Sequence, residues 1–179
     1  MKFKIYRFKK VLSTNNTAVR IIQKHNQNFG MIISELQKKG RGQYGKKWIS
    51  YKGNLFISFF YNLDNLNISI NQLTKMNCIL VKKLLSFYLS NKITVKEPND
   101  LLINKKKICG ILQEVLNKSG RRYLIVGIGI NLIKDPNIKN YPTTNLYKLN
   151  NKKISKKKIE DKLKKIFELK LTKLYKLKN

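Results

Sequence analysis

The chain has 179 residues, of which 42% are hydrophobic, so we expect one globular domain over residues 1–179 with a buried core. Its 39 Lys and Arg against 9 Asp and Glu give a net charge of +30. Lysine is spread along the whole chain together with abundant Asn and Ile, which indicates compositional bias rather than a specific nucleic acid partner. One histidine and two cysteines outside any CxxC pair exclude a multi-histidine metal site and a disulfide scaffold. They predict a cytoplasmic protein, and the absence of a long apolar run predicts no membrane span.

The first elements are predicted from alternation and from capping residues. Alternating apolar residues indicate a strand at about residues 3–8. The polar run Ser13-Thr14-Asn15 is typical of a helix N-cap, and the helix should continue to about His25. A β-rich run then covers residues 29–37.

A glycine-rich basic loop, residues 40–48, follows this second strand. Glycine allows close approach of a ligand to the backbone, and successive N–H groups in such a loop form an anion site. Arg41 adds a planar fork that suits phosphate or carboxylate, and Trp48 ends the loop with a large apolar face. The loop therefore predicts an anion-binding segment; the alternative is a mobile basic surface loop.

The middle of the chain predicts a central strand and a long helix. Residues 54–62 carry apolar side chains on both faces, which is typical of a strand inside a sheet. Apolar residues spaced by three or four predict a helix over about 70–90. A short strand at 93–96 ends before Pro98, which disfavours helix at the preceding residue.

Two hairpins and a final helix are predicted beyond that point. Residues 101–103 pair with 107–115, and a second turn leads to a strand over 123–132 with Gly127 and Gly129 on one face. Glycines inside a strand weaken it unless something must come close, so we expect a ligand against that face. Residues 135–151 are predicted to be irregular. A last helix begins after Ser155, with an apolar stripe of Ile159, Leu163, Ile166, Phe167, Leu171 and Leu174.

Five motifs, in order along about residues 11–132, resemble the catalytic domain of biotin protein ligases. Any one of them is weak evidence, whereas five in family order are specific. The matching residues are Ser13, Thr14, Asn15 and Ala18; Gln37, Gly40, Arg41, Gly42, Gly45 and Trp48; Lys96, Pro98, Asn99 and Asp100; Lys107, Gly110, Ile111, Leu112 and Glu114; and Gly127, Gly129 and Asn131.

The chain departs from the family pattern at three places. Gln43 and Lys46 stand where the family has arginines, and Glu97 stands where it has a tryptophan. These departures bear on how tightly the nucleotide is held. We also expect neither the N-terminal helix-turn-helix module nor the C-terminal β-barrel of some family members.

The resemblance implies an α/β domain of the class II synthetase-like type, with a mixed, largely antiparallel sheet and packed helices. It implies ATP-dependent ligation of biotin to a lysine of an acceptor protein through biotinyl-adenylate, with Mg²⁺. The acceptor would be the biotin carboxyl carrier domain of a carboxylase such as acetyl-CoA carboxylase. A lipoate-protein ligase is the alternative among enzymes, and a basic nucleic-acid-binding module is the alternative of another class.

The resemblance also implies roles for individual residues. Lys107 and Arg41 would be catalytic, and Asp100 would contact Mg²⁺ or, with Asn99, the ribose. Neutral donors and acceptors for the biotin ureido ring would come from Gln37 and the run Ser13 to Asn15. The full set expected to bind biotin or the adenylate is Ser13, Thr14, Asn15, Gln37, Gly40, Arg41, Gly42, Gln43, Trp48, Asn99, Asp100, Lys107, Gly110, Gly127, Gly129 and Asn131.

Overall fold

The computed structural model describes residues 1–25, 27–64, 66–151 and 154–176. The elements within these ranges are β1 (Lys4–Phe8), α1 (Thr14–Lys24), β2 (Phe29–Ser34), β3 (Leu55–Asn62), α2 (Ile70–Ser86), β4 (Ile93–Lys96), β5 (Asp100–Ile103), β6 (Lys106–Lys118), β7 (Arg121–Ile130), α3 (Leu146–Asn150) and α4 (Lys156–Lys176).

All seven strands form one sheet in the order β1-β2-β3-β7-β6-β5-β4. β1 and β2 are parallel, and every other neighbouring pair is antiparallel. This confirms the predicted mixed, largely antiparallel sheet. β3 lies inside the sheet and is buried over residues 55–61, as its two apolar faces predict.

One face of the sheet carries the main core under α2 and α4. The α4 stripe packs there as predicted, and Phe167 stacks on Phe59 of β3 with ring centroids 4.2 Å apart. Phe3, just before β1, packs against the same Phe59 ring. Burial of these aromatic side chains provides a large apolar area for this layer.

The opposite face carries α1, which covers only part of it. The helix rests on β2, β3, β6 and β7 through a small apolar cluster. The buried members of that cluster are Ala18, Ile21, Ile22, Ile32, Phe60, Tyr123 and Ile125. The rest of this face, toward the glycines of β7, lies under the 40–48 loop.

The structure differs from the sequence-based expectation in several element bounds and in one helix. β6 continues to Lys118 rather than to residue 115, and β7 spans Arg121–Ile130 rather than residues 123–132. β2 ends at Ser34 rather than at residue 37, and α2 ends at Ser86 rather than at residue 90. The segment predicted as irregular contains α3, because the side chain of Asn145 accepts a hydrogen bond from the Lys148 N–H at 2.8 Å and caps it. No helix among the described ranges is both long and apolar enough to cross a bilayer.

Candidate active site

The 40–48 loop is closed by its own backbone. Trp48 N donates to Gly40 O at 2.9 Å, and Gly42 N donates to Lys46 O at 2.7 Å. A Cβ on Gly40 would lie 2.5 Å from the Trp48 carbonyl oxygen, so glycine is required for this closure. At the tip, one 3-10 turn spans Gln43–Gly45, and Tyr44 adopts φ 53° with its side chain exposed. The tip therefore presents Gln43 beside an unburied aromatic ring.

Trp48 folds back onto the sheet above two paired glycines. Gly110 of β6 and Gly129 of β7 are register partners, and a Cβ on either would lie within 2.7 Å of the indole ring. Over Gly127 the corresponding space is taken by Asn15, whose Oδ1 would lie 2.3 Å from an added Cβ. The glycines admit protein side chains here, and the flat ligand expected against this strand stays a prediction.

Lys107, at the start of β6, is held by an ion pair and by contacts with two aromatic rings. Its Nζ lies 2.8 Å from Asp100 Oδ1 and within 5.4 Å of the ring centroids of Trp48 and Tyr141. Its backbone pairs with the chain beyond β7, since Lys107 N donates to Pro142 O at 2.9 Å. The cation is therefore fixed in position, which is what a group that stabilises developing negative charge requires.

Tyr141 contacts two of the predicted site residues, Asp100 and Lys107, but sequence reasoning did not single it out. Its hydroxyl donates to Asp100 Oδ2 at 2.5 Å, and its ring also contacts the Lys96 ammonium at 4.5 Å. Burial, together with the hydrogen bond to Asp100 and the charge of Asp100, raises the pKa of Tyr141, so the phenol stays protonated and remains a donor. It lies in the segment predicted to be irregular, where neither a periodic pattern nor a motif singled it out.

The Asp100 carboxylate is already engaged on both oxygens, by Lys107 and by Tyr141. A Mg²⁺ ion at this carboxylate would lie next to the ammonium group of Lys107. Across the described part of the chain, no group of three or more His, Cys, Asp or Glu side chains could hold a metal. Protein side chains alone therefore form no Mg²⁺ cage here, and contact of Mg²⁺ with Asp100 stays a prediction that would need oxygen ligands from the nucleotide as well.

The buried start of α1 and the half-buried Gln37 form a polar wall. Ser13 occupies the predicted N-cap position but makes no side-chain capping bond. Gln37 caps the helix instead, because its Oε1 accepts from Thr14 N at 2.9 Å and from Thr14 Oγ1 at 3.1 Å. Its Nε2 donates to Ser50 Oγ at 3.2 Å. The structure thus brings the first two predicted motifs into direct contact.

Asn15 and Arg41 meet at Glu114, a motif residue that was not assigned to the site. Arg41 Nη2 donates to both carboxylate oxygens, at 2.8 and 2.6 Å, and Asn15 Nδ2 donates to Oε2 at 2.7 Å. The Asn15 Oδ1 atom accepts from Ser58 Oγ at 2.5 Å. Glu114 therefore joins the loop to the buried start of α1.

Asn99 and Asn131 contribute mainly to the backbone around Lys107. Asn99 Nδ2 donates to Ile111 O at 2.7 Å, and Asn131 Nδ2 donates to Thr144 O at 3.1 Å. Two buried polar atoms nearby lack a partner among the described residues, the Oδ1 of Asn131 and the Nε1 of Trp48. Buried polar atoms are nearly always satisfied in native structures, so these two are candidates for contact with a ligand or water.

Nucleophilic catalysis by cysteine is disfavoured. Cys78 and Cys109 are both buried and are not disulfide-bonded. Burial raises the pKa of Cys109 well above its ordinary value and that of Cys78 to about 11, and the nearby Asp100 charge acts in the same direction. Since the thiolate is the reactive form, neither cysteine is poised to attack a substrate.

A cavity of about 540 Å³ lies away from these motifs. It is lined by β1 and by the start of α4, with Arg7, Lys156 and Glu160 among its residues. Arg7 and Lys156 are already engaged there, since Arg7 bonds to Glu160 at 2.7 Å and Lys156 bonds to Asn54 O at 2.9 Å. None of the residues assigned to the site lines this cavity.

Comparison with known proteins gives matches over the same motifs. The Biotin/lipoate A/B protein ligase family matches residues 8–131. The bifunctional ligase/repressor BirA of Escherichia coli K12 is 35% identical over 102 residues, covering 56% of this chain and 32% of that protein. BirA of Bacillus subtilis is 32% identical over 127 residues, covering 70% of this chain and 39% of that protein. The chain thus spans less than half the length of these curated relatives.

The solved structures agree with the sequence matches. A biotin protein ligase from Aquifex aeolicus, in complex with biotin and ATP, superposes with a TM-score of 0.82 at 29% identity, covering 97% of this chain and 72% of that chain. This confirms the class II synthetase-like fold implied by the motifs. With the family matching from residue 8 to residue 131, the chain belongs to the biotin/lipoate A/B protein ligase family.

Proposed function

We propose that this chain catalyses ATP-dependent ligation of biotin to a lysine of an acceptor protein. In the first step, a biotin carboxylate oxygen attacks the α-phosphorus of ATP. The bond from that phosphorus to the bridging oxygen breaks, and biotinyl-adenylate and pyrophosphate form. In the second step, the acceptor lysine amine attacks the acyl carbon, AMP leaves, and the amine loses a proton.

The observation that carries this proposal is the fixed position of Lys107. A cation paired with Asp100 and in contact with two aromatic rings suits a reaction whose main demand is stabilisation of negative charge on phosphate oxygens. Lys107 would contact the α-phosphate as charge accumulates there. Arg41 and the N–H groups of the 40–48 loop would hold the carboxylate and phosphate oxygens, as glycine-rich loops do elsewhere.

Biotin is favoured over lipoate by the polar wall. Ser13, Thr14 and Asn15 are at most 4% exposed, and Gln37 is bonded to Thr14. A ureido ring offers two N–H donors and one carbonyl acceptor to such a wall, whereas the dithiolane ring of lipoate offers none of these. Lipoate-protein ligation remains the second candidate, because one family includes both kinds of ligase.

The acceptor would be a biotin carboxyl carrier domain of a carboxylase such as acetyl-CoA carboxylase. A net charge of +30 would attract an acidic carrier domain and accelerate its encounter with the enzyme. We assign the reaction to the cytoplasm, where the two cysteine thiols would stay reduced.

The test is pyrophosphate release by the purified chain with ATP and one acid at a time. Biotin, lipoate and octanoate are compared at equal concentration, each without acceptor and then with the carrier domain. We expect release with biotin and biotin transfer to the carrier lysine. Release with lipoate but not with biotin would favour the second candidate, and release with none of the acids would contradict the ligase proposal.

A further inference from the structure

Glu114 connects three elements that the motifs place far apart in sequence. Its carboxylate accepts from Arg41 of the loop and from Asn15 of α1, while the residue itself lies on β6 opposite Ile125 of β7. Asn15 in turn accepts from Ser58 of β3. A chain of four hydrogen-bonded side chains therefore runs from the middle of the sheet to the loop.

Stability alone does not explain this arrangement. The Arg41 and Glu114 side chains are 40% and 31% exposed, and exposed ion pairs contribute little to folding. Geometry is the more informative property. Both bonds leave from one guanidinium nitrogen, Nη2. A guanidinium carries five N–H donors in a rigid plane, so the Nη1 and Nε donors keep their direction while Glu114 holds Nη2.

We infer that Glu114 is a positioning residue, which sets the orientation of Arg41 and of the 40–48 loop toward the reacting phosphate without touching substrate. This inference rests on the proposed function for its effect on the reaction. Its effect on the loop is independent of that function. Misplacement of a catalytic group by about 1 Å can cost about 100-fold in rate, so loss of Glu114 should act on the adenylation rate more than on the fold.

Trp48 allows the loop to be monitored without any reaction. It is the sole tryptophan of the chain, and it packs on Gly110 and Gly129 at the end of the loop. Glu114→Ala is expected to red-shift its emission and to raise its quenching by acrylamide. The matched control is Asp161→Ala, which also removes one negative charge but lies on α4 in an exposed pair with Lys157. That control should leave the emission unchanged.

The decisive experiment is a double-mutant cycle between Arg41 and Glu114. Glu114→Ala should lower biotin-dependent pyrophosphate release about tenfold with little change in KM for ATP, and Glu114→Gln should fall between, because its one carbonyl oxygen can still accept from Arg41. In an Arg41→Ala background, Glu114→Ala should change the rate less than about twofold. Thermal unfolding of each variant checks that the fold persists.

The outcomes separate the two proposals. Additive losses of the release rate in the double variant would overturn the positioning role, because the two residues would then act independently. Faster release in Glu114→Ala would also overturn it, because Glu114 would then compete with substrate for Arg41. If the wild-type chain releases no pyrophosphate with any acid, the proposed function fails, and the positioning role is then tested by Trp48 fluorescence alone. In that case, the role is supported if acrylamide quenching of Trp48 rises equally in Arg41→Ala and in Glu114→Ala and rises no further in the double variant. Unchanged quenching overturns it.

Discussion

The face of the sheet under α1 has two halves built from the same strands. In one half, large side chains such as Ile32, Phe60 and Ile125 pack under the helix. In the other half, Ser58 and Gly127 stand directly opposite each other, one alternation further along the same β3 and β7. The change from large to small side chains is abrupt. It determines which half packs under the body of α1 and which half accepts Trp48 and Asn15, the latter from the first turn of α1.

The two halves also differ in what holds them together. The half under α1 is apolar, and its cohesion comes from burial, which is not directional. The other half, which contains Gly127 and Gly129 and is called the glycine half below, is held by directional contacts. These are the hydrogen-bonded chain through Glu114 and the ion pair of Lys107 with Asp100. Directional contacts fix the position of charged groups, which is the property that a site for phosphate chemistry requires.

The largest expected effect comes from the charged half, through Lys107→Ala. We expect biotin-dependent pyrophosphate release to fall at least about 100-fold, because a fixed cation that stabilises developing charge is removed. Lys106→Ala, at the exposed neighbouring position, is the matched control and should retain nearly full activity. Near wild-type release by Lys107→Ala would remove this residue from the proposed mechanism.

In the apolar half, Ile22→Ala should lower stability while leaving biotin binding unchanged. This α1 side chain is completely buried against the sheet, so its truncation should destabilise the fold by about 2–5 kcal/mol, measured by denaturant unfolding. At temperatures where the variant is folded, its KM for biotin should be unchanged. A large loss of biotin affinity with normal stability would mean that the two halves are not separate in function.

Gly129→Val tests how the glycine half is filled. A Cβ at this position would lie 2.5 Å from the Trp48 ring, so the indole must move away from β7. Valine is well tolerated in strands, so the fold should persist. We therefore expect red-shifted Trp48 emission together with loss of ligand binding. Ile128→Val, on the opposite face, is the control. Normal biotin binding with normal emission would show that the close approach of Trp48 is not required.

A smaller effect is expected at Gln43, where the family arginine is missing. Charge-assisted hydrogen bonds are roughly twice as strong as neutral ones. Restoring arginine should therefore strengthen binding of the adenylate phosphate by about 1–2 kcal/mol. Gln43→Arg should therefore slow dissociation of preformed adenylate about tenfold. An unchanged or faster rate would mean that Arg41 and the lysines already supply this contact.

The smallest effect is expected in binding of DNA or RNA to the chain. We attribute the charge of +30 to composition, so any DNA or RNA binding should be weak, independent of sequence and steeply salt-dependent. Filter binding at two salt concentrations checks this expectation. Sequence-selective binding that persists at physiological salt would revive the alternative of a nucleic-acid-binding module.

Much of the fold could be predicted from periodicity, whereas much of the site could not. The α2 and α4 stripes and both hairpins follow from local spacing and turn residues, because those signals are contained within one segment. The contacts of Tyr141 with Asp100 and of Arg41 with Glu114 join residues 41 and 73 positions apart. Only the assembled sheet brings such pairs together, so local patterns carry no signal for them.

The glycines of β7 illustrate the same limit. Their positions correctly predicted a close approach to the strand, but the side chains that make the approach, Asn15 and Trp48, come from other segments. A single sequence indicates that space is needed at Gly127 and Gly129. It does not indicate which group occupies that space.

The most direct test of the division between the two halves is hydrogen exchange with and without biotin plus ATP. We predict added protection in the 40–48 loop, at residues 107–110 and at residues 127–131. Amides of α1 beyond its first turn, and those around Arg7 and Lys156, should exchange at the same rate in both states. Protection confined to the Arg7 and Lys156 cavity, with none in the loop, would contradict the assignment of the site.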